Sequence, residues 1–424
     1  MSSEAAVGSG SRVGGDEGRV FFNPLDPDYL ADPYPQLAAL REVDPVHESP
    51  LGIWMLFRYD DVFSLLRNPN TSVEDGNIDG GLNAMREAMF ADLLAEYGGE
   101  ERERGDRAIL NLDPPDHTRI RKLVSKAFTV RRVEQLRPSI QAQVDAVLDR
   151  VAGAGPWDVV DELAFPLPFQ VITELLGMPE GDRDAIRNWS HALTKTLDPI
   201  ISEEDMRAAF EASDAMRAYL DEVVPWKRAH PADDVLTGLV EAEEGGEGLT
   251  AAELRDQIVL LFIAGHETTV NLIGNGMQAL LRHPDQMRRW RDDPALDATA
   301  VDELLRYDAP VQLSRRIALS ELEIDGHTIA PGTLVMTHLA SANRDPAKWG
   351  PTADQVDVGR IDAGQHVSFG SGIHFCLGAA LARLEAQVVM SSILRRFPDL
   401  EQAGAAVPNG RITLRGLDSL PVSS

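Results

Sequence analysis

The chain is poor in cysteine, in positive charge and in long apolar runs, and each shortage closes off a class of protein. One cysteine, Cys376, stands among 424 residues. A lone thiol closes no intrachain disulfide and cannot build the multi-thiolate sets of zinc or iron–sulfur sites. It also points to a reducing compartment. Lys and Arg number 40 against 68 Asp and Glu, a formal net charge of −28, which argues against nucleic acid as a partner. The longest apolar run, Ile258 to Gly265, falls far short of the roughly 20 residues that span a bilayer. Residues 1–10 lack the basic start and apolar stretch of a signal peptide. A cytoplasmic protein with no membrane segment is expected. There is no internal repeat and no strand-led, glycine-rich phosphate loop.

What is present reads as mostly helix with small β-sheets. Residues 1–19, rich in Gly, Ser and charge, are expected to be a disordered tail. Residues 20–424 contain no clean linker and are read as one domain. Helices are expected at Gln36–Val43, Asp60–Arg67, through Asp116–Arg150 and at Leu377–Phe397. Between 161 and 230 helices are expected to be cut by Pro166, Pro168, Pro179, Pro199 and Pro225. Residues 68–110 carry several glycines and Met85 and Met89, and read as a long irregular region with one helix. Thr250, with Glu253 three residues on, forms a capping box. It opens a helix predicted to run to about His283, or roughly 45–50 Å. Strands are expected at Gly52–Phe57, Ile317–Ile324, Thr333–Leu339, Arg411–Leu414 and Leu420–Val422.

Cys376 sits in a run from Phe369 to Gly378 with glycines at 370, 372 and 378. Glycines permit backbone angles and close approaches that side chains forbid, and a packed core has no need of them around its thiol. A helix starting after Cys376 aims its first N–H groups at the sulfur, favouring thiolate. If this sulfur binds a metal, it is the sole protein ligand of a metal held mainly by something else, and haem iron fits that description. In the long helix, Ala264-Gly265-His266-Glu267-Thr268-Thr269 places a glycine, an acid and two hydroxyls in an apolar stretch. Gly there costs about 1 kcal/mol against Ala. Threonine can bond back to a carbonyl and bend or widen the turn, and an acid–hydroxyl pair can relay protons.

Phe369, Gly370, Gly372, His374, Cys376 and Gly378 together resemble the haem loop of the cytochrome P450 family. The 264–269 segment resembles its oxygen-activation motif. The resemblance covers nearly the whole chain beyond the tail and is strongest to soluble bacterial members, some of which hydroxylate polyketides. It implies a P450-like fold with a long central helix over haem b and Cys376 as the axial metal ligand. Phe369, Gly370, Gly378, Ala264 and Gly265 would then lie about the cofactor. Thr268 would hydrogen-bond the activated oxygen or its water, with Glu267 linking that water to bulk protons. His117, Arg121, Arg316 and His374 match the family's propionate anchors. Glu303 and Arg306 match its structural ion pair; Gln355 stands where the family often has an Arg or His to complete it, a departure that leaves the third partner open. The same i, i+3 spacing at Glu101–Arg104, Glu134–Arg137 and Glu180–Arg183 is read as solvated. Ala342 to Pro346 reads as structural turn chemistry, and His266 as packing.

The implied activity is a monooxygenase, placing one atom of O2 in an apolar organic substrate. Met85, Met89, Leu193, Thr194, Leu261, Val311, Leu313 and Leu414 would line its pocket. With no nucleotide domain, electrons would come from a ferredoxin and ferredoxin reductase, docking at Lys122, Lys126, Arg131 and Arg132. The protein is expected to be a monomer. Two rivals are a haem-binding sensor or carrier without turnover and a peroxide-dependent peroxygenase.

Overall fold

The computed structural model describes residues 22–98, 107–179, 181, 183–244 and 248–424. The expected tail and the pairs Glu101–Arg104 and Glu180–Arg183 lie outside the described residues, wholly or in one partner.

Helices dominate, and the longest runs unbroken from Ala251 to Arg282, 32 residues, or about 48 Å. Its start follows from local chemistry. Thr250 Oγ1 accepts from the Glu253 N–H (3.2 Å), and Glu253 Oε2 accepts from the Thr250 N–H (2.8 Å), so both ends of the capping box close. This is the one helix among the described residues long and apolar enough to cross a membrane, and most of that stretch is buried inside the protein. Leu261, Phe262, Ile273 and Leu280 join its inner face to a core shared with helices Arg137–Val151, Pro166–Leu176 and Ala379–Arg396. Gly265 has a packing reason. A Cβ there would come within 2.9 Å of Ile172 Cδ1, so the glycine lets helix Pro166–Leu176 lie close.

The expected prolines act unevenly. Pro166 and Pro168 open a helix, as its N-terminus allows. Pro225 interrupts nothing: helix Glu203–Ala229 runs through it. Pro225 and Asp221 are both exposed, so the carbonyl freed by the missing N–H faces water. Among the described residues of the 68–110 region there are two α-helices, Gly80–Met89 and Ala91–Tyr97, instead of one.

A five-stranded sheet flanks the helical core in the order Val46–Glu48, Trp54–Leu56, Leu334–His338, Leu313–Ala318, Thr71–Ser72. Its one parallel pair joins Trp54–Leu56 to Leu334–His338. Strands Leu322–Ile324 and His327–Ile329 pair antiparallel across the Asp325-Gly326 turn. The expected strand at Arg411–Leu414 is not one. It makes a single bridge, Val311 to Leu414, while the Thr413 N–H turns to Asp198 Oδ1 (2.7 Å) and the Thr413 hydroxyl to the Leu197 carbonyl (2.8 Å).

Candidate active site

The cysteine loop is a tight turn that only its glycines can make. Gly370 and Gly372 hold φ of 68° and 71°, the left-handed region. A Cβ on Gly372 would also meet the Leu66 carbonyl oxygen at 2.7 Å. The Cys376 N–H donates to the Phe369 carbonyl (2.9 Å), closing the loop. Helix Ala379–Arg396 follows, and the backbone N–H groups of Gly378 and Ala379 reach the sulfur. Cys376 is surrounded by much of the protein yet keeps accessible surface. Burial pushes its thiol up, against the downward pull of those N–H groups, Arg121 and Arg383. The helix end therefore favours thiolate, as the sequence suggested, but burial outweighs it in the bare chain. Arg383 lies over the Phe369 ring, 4.6 Å from its centroid.

A similar anomaly marks the central helix. Ala264 is exposed, although Phe262 and His266 beside it are buried. Thr268 Oγ1 donates to the Ala264 carbonyl (2.8 Å) and Thr269 Oγ1 to that of Gly265 (3.3 Å). The hydroxyls bond back as expected, without the widened turn. His266 packs between Phe165 and Phe169, with Nε2 3.3 Å from the Phe165 carbonyl. Glu267 is largely buried. Burial pushes its carboxyl above the usual range, Arg411 and Arg187 pull it down, and Asp418 pushes it up.

Beside the loop, four nitrogen-bearing side chains converge with no carboxylate bonded to them among the described residues. His117 and His374 stack with ring centroids 4.4 Å apart. His117 is 2 % exposed, yet neither ring nitrogen has a hydrogen-bond partner. Arg121 donates to the Phe375 carbonyl (2.6 Å). Arg316 is buried and donates to the Arg315 carbonyl (2.7 Å). Burial, then Arg316, His117 and Arg121, hold His374 down to about 3, and burial brings Arg316 down to about 10. Orphaned donors and an uncompensated buried cation make a site short of negative charge, which fits the two propionates of haem. The neighbouring Arg315 pairs with Asp75 at the surface, which separates the roles of the two arginines.

A cytochrome P450 family model matches residues 57–409. The chain belongs to the cytochrome P450 family. It is 42% identical to cytochrome P450 107B1 of Saccharopolyspora erythraea, over 94% of this chain and 96% of that protein. It is 40% identical to the cytochrome P450 monooxygenase PikC of Streptomyces venezuelae, over 94% and 92%. The solved structure of PksS, the cytochrome P450 of the Bacillus subtilis bacillaene polyketide synthase, superposes with a TM-score of 0.84. It is 35% identical and covers 95% of this chain and 99% of its own. This P450 thus has the fold read from its sequence, binds haem b, and is a monooxygenase that places one atom of O2 in an apolar organic substrate.

The P450 scaffold braces the cysteine loop through a buried ion network. Arg306 Nε and Nη2 donate to both Glu303 oxygens (2.7 and 2.9 Å), with both side chains wholly inaccessible. The third partner is Arg360, whose Nε lies 3.0 and 3.2 Å from the Glu303 oxygens. Gln355 contributes only its carbonyl, accepting from Arg306 (2.9 Å). This corrects the register read from sequence, because the chain turns between 355 and 360 and brings the later side chain inward. Arg306 also donates to the Asn343 carbonyl (2.8 Å). The Asn343 side chain in turn takes the Val367 N–H (2.8 Å) and donates to Ser368 Oγ (2.7 Å), directly ahead of Phe369.

The expected pocket residues divide. Leu261 is buried in the main core beneath Ala264. Val311 and Leu414 meet at their bridge. Met85 and Met89 are exposed, at 40% and 59%, and Leu193 is half-buried. Two expectations are corrected. Leu313 packs with Phe22, Tyr29 and Leu37, because strand alternation turns it toward the N-terminal helices. Thr194 is buried with its hydroxyl bonded to the His191 carbonyl (3.0 Å) and to Arg411. The sequence reading missed Arg360 and Arg411. An arginine right after Gly359 was a usable signal for the first, whereas spacing offered none for the second.

Proposed function

We propose that this P450 hydroxylates or epoxidises a large apolar natural product of the polyketide type, using electrons from a ferredoxin-type carrier. The observation that carries the site assignment is the pair of exposed atoms in a buried setting, Cys376 in its loop and Ala264 above Thr268, flanked by uncompensated cations. Haem b held there by Cys376, with His117, Arg121, Arg316 and His374 at its propionates, supplies dioxygen reduction, and the cysteinate favours O–O cleavage. In hydroxylation a C–H bond, O2, two electrons and two protons give an alcohol and water.

The chain's own part is to hold and move those protons. The Thr268 hydroxyl donates a hydrogen bond to the Ala264 carbonyl, which leaves Oγ1 an acceptor for a water. Glu267, whose carboxyl burial pushes above the usual range against the pull of Arg411 and Arg187, is placed to take and return protons beside Thr268. Thr268→Ala should lower product formed per electron by about tenfold or more, with the electrons recovered as hydrogen peroxide. Retained coupling would remove the threonine from the proton path. The same pair disfavours the sensor and peroxygenase readings, which have no use for it.

The polyketide class is supported by the apolar character of the candidate residues Leu261, Val311 and Leu414, by the exposed, adaptable Met85 and Met89, and by PksS among the similar structures. Screening macrocyclic lactones, terpenes and fatty acids for a shift of the ferric spectrum tests it; a response to fatty acids alone would contradict it. Lys122, Lys126 and Arg131 are exposed, and Arg121 ties the helix that carries Lys122 to the cysteine loop, which supports docking of an acidic carrier there. Arg132 pairs with Asp233 and is less available. Reversing the charges at Lys122 and Lys126 should slow reduction about tenfold at low salt, with the difference vanishing at high salt, as read by stopped flow. A single domain over 20–424 in a cytoplasmic monomer completes the proposal, consistent with the −28 net charge.

A further inference from the structure

Arg411 lies in the loop after Gly410 and is nearly inaccessible. Its guanidinium reaches two separate parts of the molecule. Nη1 donates to Thr194 Oγ1, and Nη2 donates to the His191 carbonyl (3.0 Å) and to His191 Nδ1 (2.9 Å). Two residues on, the Thr413 N–H donates to Asp198 Oδ1 (2.7 Å) and Thr413 Oγ1 to the Leu197 carbonyl (2.8 Å). These bonds stitch the loop to the end of helix Arg183–Thr194 and the turn beyond it. The same Nη1 stands 3.9 Å from Glu267 Oε1. That is too long for a hydrogen bond and close enough for a charge to act in a buried setting. The guanidinium is planar and forked, so its bonds to His191 and Thr194 fix where its charge sits.

We propose that Arg411 is a positioning residue that places its charge beside the Glu267 carboxyl only while the segment from His191 to Asp198 is docked on the 411–413 loop. Segment docking and proton supply are thereby coupled through one side chain. When the segment lifts, the guanidinium loses the acceptors that aim it, and Glu267 loses its nearest cation. By linkage, whatever favours docking of the segment also favours the ionised carboxylate. The inference rests on the proton-relay reading of Glu267. The groups that bear on that carboxyl are Arg411, Arg187 and Asp418, and His191 bears on it through Arg411.

The test uses the haem-loaded protein as wild type, R411Q and E267Q, with two readouts. The first is amide hydrogen exchange across 191–198. The second is the pH profile of NADPH-driven O2 consumption with a surrogate ferredoxin and reductase and no organic substrate. In R411Q, exchange at 191–198 should rise about tenfold or more, from the loss of charged hydrogen bonds. The inflection of the pH profile should also move upward by about one unit, because a cation leaves a carboxyl's side. In E267Q the inflection should vanish. An inflection that vanishes in E267Q but stays in place in R411Q overturns the coupling and leaves the relay standing. An inflection that survives in E267Q overturns the relay and the coupling together. Unchanged exchange in R411Q overturns the docking role. If R411Q fails to load haem, R411K keeps the charge and loses the fork. It should raise exchange and also move the inflection upward, by less than R411Q does, because the charge is kept but no longer aimed; raised exchange with an unmoved inflection, or unchanged exchange, overturns the proposal.

Discussion

Cys376→Ser is expected to abolish oxygen insertion and to remove the thiolate signature from the spectrum of the CO-bound ferrous protein, without unfolding the chain. Serine fits the loop, since the turn is made by Gly370 and Gly372 and by the bond from the residue-376 N–H to the Phe369 carbonyl, none of which needs sulfur. An alcohol lacks the soft anionic character that the iron requires. Changes around a metal ligand cost roughly 10–100-fold, so loss of the ligand itself should lower turnover by at least about a hundredfold. Product formation with a surrogate ferredoxin and reductase checks this. The donors facing the sulfur, the N–H groups of Gly378 and Ala379 with Arg121 and Arg383, all favour an anion. Only the buried position opposes it, and a bound cation relieves that cost.

Glu303→Gln is expected to be the most destabilising single change in the scaffold. It leaves Arg306 and Arg360 buried side by side with their shared carboxylate neutralised. Removing one partner of such a buried pair costs about 3–5 kcal/mol. The damage should reach the haem loop, because Arg306 holds the Asn343 carbonyl, and Asn343 holds Val367 and Ser368. The urea midpoint followed by haem absorbance should fall together with the far-UV signal. Glu134→Gln is the matched control. Its pair with Arg137 has the same spacing, but side chains 51% and 41% exposed, and it should cost at most about 0.5 kcal/mol. Equal losses at the two sites would contradict the assigned role of the Glu303 network.

These two cases show what the sequence could and could not reveal. The cysteine loop was legible because backbone angles and close approach demand glycine, and that demand is written in residue identity at fixed offsets. The central helix was legible for the same kind of reason, a capping box followed by an apolar stripe. The Glu303–Arg306 pair was not distinguishable from Glu134–Arg137 by spacing, since burial decides its worth and burial is a property of the fold. Arg360 was not legible as the third partner, because irregular chain between 350 and 362 carries no periodicity to fix a register. Thr194 and Leu313 were assigned to the pocket, but a tertiary hydrogen bond from Arg411 claims one and strand alternation turns the other away. Pro225 was read as a breaker because its exposure, which makes the lost hydrogen bond cheap, is invisible in sequence.

The account turns on the sulfur of Cys376 being the anionic ligand of a bound haem iron. The most direct measurement is the difference spectrum of the reduced protein with and without carbon monoxide. The expected result is the strongly red-shifted Soret band of thiolate-ligated haem. A band at the position typical of a neutral ligand in freshly prepared, fully folded protein, or no haem band at all, would contradict it.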